Sequence, residues 1–173
     1  MANNHLEELI AEWYEYKGYY VKRNVMVGKR VKGGYECELD IIAFNPVTNH
    51  LVHLEPSLDA NSWSTRERRY LKKFDAGKKY IKDQFAGFKL PDEIDQVAIF
   101  TFASNINHPI LGGGKVISAG DILHEIFLEL RTKRLMQSAI PEHLSILRSF
   151  QYVCEFRDQV VDALTEKIEP EGK

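Results

Sequence analysis

Apolar residues recur at helical spacing over residues 5–17, where Leu6, Leu9, Ile10, Trp13 and Tyr14 share one face. Asn4, with Glu7 three positions later, reads as a capping box, and Gly18 as the glycine past the helix end. The period then changes. Residues 19–27, YYVKRNVMV, predict a strand, and GKRVKGG a basic, glycine-containing loop. Residues 35–44 and 50–56 predict two more strands, joined around NPVTN, which is rich in turn formers. A long helix is predicted over 62–85, with Trp63, Glu67, Tyr70, Leu71, Phe74, Ile81 and Phe85 toward one side. QVAIFTFA, residues 96–103, is apolar almost throughout, as a strand buried on both faces is. Beyond LGGGK come a short strand at 115–118, amphipathic helices over 121–137 and 141–164, and a charged tail from Glu166. The order αβββαβ(β)αα predicts an α/β fold: a mixed sheet core flanked by helices over residues 1–137, with a C-terminal helical extension, 138–173, packed on it.

The second and third strands carry acids inside their apolar runs. If Pro46 to Asn49 form the hairpin loop, Asn45 pairs with His50 and, in the same register, Asp40 faces Glu55. Directly opposed Cβ atoms lie about 4.5–5.5 Å apart, and like charges so placed repel unless something positive lies between them. A divalent ion such as Mg²⁺, which takes carboxylate oxygens, is one answer. The other is that Asp40 is a solvated residue on an edge strand and Glu55 a strand-end acid before Pro56. His53 and Ser57 share the face of Glu55, since side chains alternate along a strand. On the helix that follows, Arg66, Arg69 and Lys73 make one stripe at i, i+3, i+7, while Lys78 falls among Leu71, Phe74 and Ile81.

Charge and composition narrow the choices. The formal net charge of −2 gives no global basic field, so a nucleic-acid partner would need a local patch. Cys37 and Cys154 lie far apart without metal-ligand neighbours and read as reduced thiols of a cytoplasmic protein. No apolar run approaches the roughly 18–20 residues that cross a bilayer, so no membrane partner is expected. The six histidines show no zinc spacing, and GGGK lacks the spacing of a phosphate loop.

Taken in order, LEELIAEWYEYKGYYV, GGYECELDIIAF and HLEPS resemble the PD-(D/E)XK nuclease superfamily, over roughly residues 5–103. The resemblance implies a restriction-endonuclease-like core and Mg²⁺- or Mn²⁺-dependent hydrolysis of phosphodiester bonds, with DNA the expected substrate. It makes Asp40 and Glu55 the metal-binding carboxylates, and Glu7, with Glu8 next, the helix acid. Where the family has its lysine this chain has Ser57, a neutral hydroxyl. Either the lysine comes from the following helix, with Lys73 and Lys78 as candidates, or catalysis is lost and the chain is a module that binds nucleic acid or a protein partner. Lys22, Arg23, Lys29, Arg30 and Lys32, with Arg66 and Arg69, would meet nucleic-acid phosphates; otherwise they are ordinary surface charges. A homodimer fits a nuclease that cuts two strands, with helices 121–137 and 141–164 as its interface.

Overall fold

The first helix, α1 (His5–Tyr16), starts where the side chain of Asn4 accepts the Leu6 amide at 3.0 Å. That bond satisfies one of the amides a helix start leaves open. The helix buries Leu6, Leu9, Ile10 and Trp13, the face its spacing predicts. Strands β1 (Tyr20–Val27), β2 (Cys37–Asn45) and β3 (His50–Ser57) follow as antiparallel neighbours. Asn45 makes the second turn: its side-chain oxygen accepts the Val47 and Thr48 amides at 2.9 and 3.1 Å. Its side-chain nitrogen donates to the Lys17 carbonyl at 3.2 Å, so one residue closes the hairpin and ties down the end of α1.

These elements come from a computed structural model, which describes residues 4–101 and 107–166. Helix α2 (Trp63–Tyr80) leads to β4 (Asp95–Phe100), which pairs in parallel with β3. Two further strands, β5 (Ile110–Leu111) and β6 (Gly114–Ser118), complete a six-stranded mixed sheet of order β1-β2-β3-β4-β6-β5. β4 lies between parallel neighbours and fully buries Ala98, Ile99 and Phe100, as its unbroken apolar run predicts. Helices α3 (Ala119–Leu130), α4 (Ser145–Glu155) and α5 (Arg157–Thr165) follow. The chain forms two units, Met1–His124, which carries the sheet, and Glu125–Lys173. No described helix is long and apolar enough to cross a membrane.

Several boundaries differ from the sequence pattern. The helix expected over 62–85 ends at Tyr80, and a 3-10 turn, Lys82–Phe85, continues from it. The helix expected over 121–137 stops at Leu130: the Thr132 hydroxyl donates to the Glu129 carbonyl and the Lys133 amide donates to that of Leu130, tightening the last turn. The helix expected over 141–164 is two helices meeting at Phe156, and no glycine or proline marks the break. Residues 102 and 103 of the expected apolar strand lie outside the described residues.

Helix α2 is rotated from its expected face. It buries Arg66, Tyr70, Phe74, Ala76 and Gly77, while Leu71 is 47% exposed. Gly77 sets how close the helix comes to the sheet. A Cβ built there would lie 2.4 Å from His53 Nδ1, nearer than real side chains approach. Gly77→Ala is therefore expected to destabilise the protein by about 1–3 kcal/mol, despite alanine's advantage of about 1 kcal/mol as a helix former. Urea denaturation reads this as a lower midpoint; an unchanged or raised midpoint would show that the helix has room to move.

Candidate active site

The β2–β3 ladder runs from Asn45–His50 to Ile41–Leu54, and one step further brings Asp40 beside Glu55. There the backbone pairing yields to a side chain: the Asp40 amide donates to Glu55 Oε1 at 3.2 Å. β1 is irregular at the same level. Its ladder pairs Arg23 with Ile41 and Val25 with Leu39, stepping over Asn24, which has a left-handed φ of 53°. Asparagine tolerates that conformation better than most residues.

The positive charge between the two acids is the ammonium of Lys73. Its Nζ donates to Asp40 Oδ1 at 2.6 Å and also to Glu55 Oε2. The Glu55 side chain is 2% exposed, and those of Asp40 and Lys73 are 18% and 20%. Burial disfavours the charge on Lys73, but Glu55 and Asp40 outweigh it and hold the ammonium above the ordinary lysine range. Asp40 goes the other way. Burial, then the neighbouring Glu55, push its carboxyl up to about 7 against the opposing charge of Lys73. Glu7 is also raised, by burial and then by Asp40, while hydrogen bonding to Asn4 and the charge of Lys73 act against the rise. One ammonium thus stands among three carboxylates.

His53 lies buried beneath this group. Its Nε2 is 2.7 Å from Glu55 Oε1, and its Nδ1 faces the Gln96 side-chain nitrogen at 3.4 Å. Gln96 also donates to the Phe74 carbonyl at 2.8 Å. An amide nitrogen can only donate, which assigns Nδ1 as acceptor and Nε2 as the N–H that holds Glu55. Burial, then the charge of Lys73, lower the imidazole's pKa to about 3, so His53 is neutral at physiological pH. It is a packed histidine that orients an acid. Tyr70 fixes the same residue by its backbone, donating to the Glu55 carbonyl at 3.2 Å.

Ser57 joins a second cluster, at the start of α2. It donates to Asp59, which also takes Arg66 Nε at 2.9 Å and Arg69. Burial raises the Asp59 carboxyl, but hydrogen bonds from Ser57, Arg66, the Asn61 amide and Arg69 hold it below the usual carboxylate range. Arg66 is 4% exposed and lies over the rings of Trp63 and Phe100, so it is structural and does not face solvent. Ser62 caps the helix, accepting the Thr65 amide.

The fold assembles Glu7, Asp40, Glu55 and Lys73 and sets other expected residues apart. Lys78 is 57% exposed and pairs with Asp75. Lys22 reaches the Gln84 carbonyl and the Phe85 ring, whereas Arg23 pairs with Glu15 at 2.8 Å on α1, as successive strand residues facing opposite ways must. Lys29, Arg30 and Lys32 stand exposed in the loop between β1 and β2. Beside the centre opens a cleft of about 510 Å³, with Asp40 and Lys73 on its wall. Sequence reasoning missed three supporting residues: Gln96, Asp59 as an arginine clamp, and Tyr70 as a donor. For Asp59 a signal existed, since positions 55, 57 and 59 alternate opposite the 66–69–73 stripe.

Asp40 and Glu55 are the hard oxygen donors best placed for a divalent ion, with Glu7 in electrostatic reach of Asp40. Among the described residues no three His, Cys, Asp or Glu side chains are already grouped to hold one. No family model, curated protein or solved structure matches the chain.

Two outcomes follow from these charges. Between about pH 4 and pH 7 the folded chain keeps a proton on Asp40 that the unfolded chain releases, so stability falls as pH rises across that window. The slope reaches at most ~1.4 kcal/mol per pH unit, and Asp40→Asn is expected to flatten it in urea melts at a series of pH values. A slope unchanged in Asp40→Asn would mean that Asp40 does not titrate there. Lys73→Met leaves facing acids without their counter-charge, with an expected loss of about 3–5 kcal/mol at pH 8. The loss shrinks at pH 5, where Asp40 takes up a proton; an equal loss at both would assign the effect to packing.

Proposed function

We propose that the chain is a divalent-metal-dependent nuclease that hydrolyses phosphodiester bonds, in DNA first, on a restriction-endonuclease-like core. The observation that carries this reading is Lys73. It comes from the helix after β3, and its ammonium meets both strand acids, supplying the charge that Ser57 at the expected lysine position lacks. The order of elements from α1 to β4, with β3 and β4 parallel, supports the same reading.

The residues present suit Mg²⁺ or Mn²⁺. Asp40 and Glu55 offer carboxylate oxygens, the donor type these ions take. Three acids against one ammonium leave an excess of two negative charges, and burial with mutual repulsion drives Asp40 and Glu7 toward keeping protons. A divalent cation answers that excess. When bound, such an ion polarises a phosphoryl oxygen and makes a coordinated water more acidic.

The chain's own groups do the rest. His53 and Tyr70 keep Glu55 in one orientation. Lys73, charged at all working pH values, offsets negative charge growing on the phosphate. Arg69, one helical turn earlier and 40% exposed, adds a cation along the same stripe. Exposed Lys29, Arg30 and Lys32 would contact phosphates further along the strand.

Supercoiled plasmid incubated with the protein and Mg²⁺ or Mn²⁺ tests this reading. Nicks are expected, and Asp40→Asn and Lys73→Ala are each expected to slow nicking at least ~100-fold while both variants still melt cooperatively. Folded protein that binds plasmid, single strands, branched DNA or RNA and cuts none of them would replace the nuclease with an inactive nucleic-acid-binding module.

A further inference from the structure

The cleft beside Asp40 and Lys73 has features that the acid and lysine chemistry does not use. Met26 and Tyr35 line it and are 44% and 46% exposed, two large apolar side chains left in water beside charged walls. Its volume, about 510 Å³, falls within the range of small-molecule sites and accommodates a nucleotide. Lys72 and Lys73 stand on the helix wall.

Tyr35 is held for contact. The next residue, Glu36, is fixed through its amide, 3.0 Å from both the Val27 and Gly28 carbonyls. Its carboxylate takes the Tyr80 hydroxyl at 2.7 Å and Lys79 at 3.4 Å. Those bonds engage one of the three acids that line the cleft, Glu36, Glu38 and Asp40. On the other side, Gly33 and Gly34 have φ of 92° and 76°, and a Cβ at either would meet nothing within 4 Å. Open space thus lies beside the backbone just before Tyr35, which adopts a conformation that favours glycine.

We infer that this cleft takes an unpaired nucleotide, its base stacked on Tyr35 and its phosphates toward Lys72 and Lys73. An exposed ring in the same cleft as two lysines matches a base joined to phosphates, since every base offers a π-face whatever its identity. In a duplex the neighbouring pairs cover those faces, so the substrate class is a single strand, a flap or a frayed end. The inference deepens the nuclease reading and rests on it for what happens at the phosphate; the binding stands separately.

The test uses the full chain and three fluorescein-labelled probes of equal length: a single-stranded deoxyoligonucleotide, its duplex, and an abasic strand that keeps the phosphates. Anisotropy in Ca²⁺ buffer is expected to show the single strand bound at least ~10-fold tighter than the abasic strand. Tyr35→Ala is expected to remove that advantage and Tyr35→Phe to keep it, because the ring and not the hydroxyl stacks. Equal affinity for single and abasic strands, or a preference untouched by Tyr35→Ala, overturns the inference. The same probes with Mn²⁺ separate the two readings. Tyr35-dependent binding without cleavage removes the nuclease and leaves the cleft, whereas cleavage indifferent to Tyr35→Ala does the reverse.

Discussion

One ammonium shared by two carboxylates is the interaction on which the site depends. Asp40 and Glu55 sit on adjacent strands, and neither is tolerable there alone, because a buried acid without a partner is costly. Lys73 can reach both only if the β2–β3 register holds, if α2 turns its cationic stripe inward, and if the helix lies close to the sheet. Each condition has a visible cause. Asn45 sets the hairpin, the Asp59 clamp orients α2, and Gly77 lets the helix settle on His53.

The parts of the fold governed by local rules were legible in the sequence. The hairpin register followed from turn residues and the two-residue period, and it brought Asp40 to Glu55. The burial of β4 followed from its apolar run. Lys73 was visible as a member of a stripe, but its role was not, because on apolar spacing alone α2 should have turned Leu71 inward. Ion pairs to Asp59, Asp40 and Glu55 overrode that spacing. The break at Phe156 was hidden because no turn residue marks it, and β5 because two residues are too short a run to show a period, although Gly112 and Gly113 form the turn after it.

The arrangement would also reconcile a near-neutral chain with the polyanionic ligand proposed for it. What matters at a phosphate is the charge within a Debye length of about 10 Å, not the sum over 173 residues. Near Asp40 the acids outnumber the cations; along α2 and in the β1–β2 loop the cations dominate. In the proposed nuclease, an acidic pit bordered by basic side chains would draw a metal ion to one place and a phosphate chain to the next, which a uniformly basic surface would not do.

The Asp59 clamp has a kinetic consequence. Arg66 and Arg69 pin the first two turns of α2 to the segment just past β3, and Gln96 pins its middle through the Phe74 carbonyl. A helix anchored at those points cannot slide along its axis without breaking buried contacts. Any exchange of partners by Lys73 must therefore run through rotation about its own methylene chain. Such rotations are local to one side chain, whereas shifts of whole helices take microseconds or longer. Lys73 can therefore change partners without the scaffold rearranging.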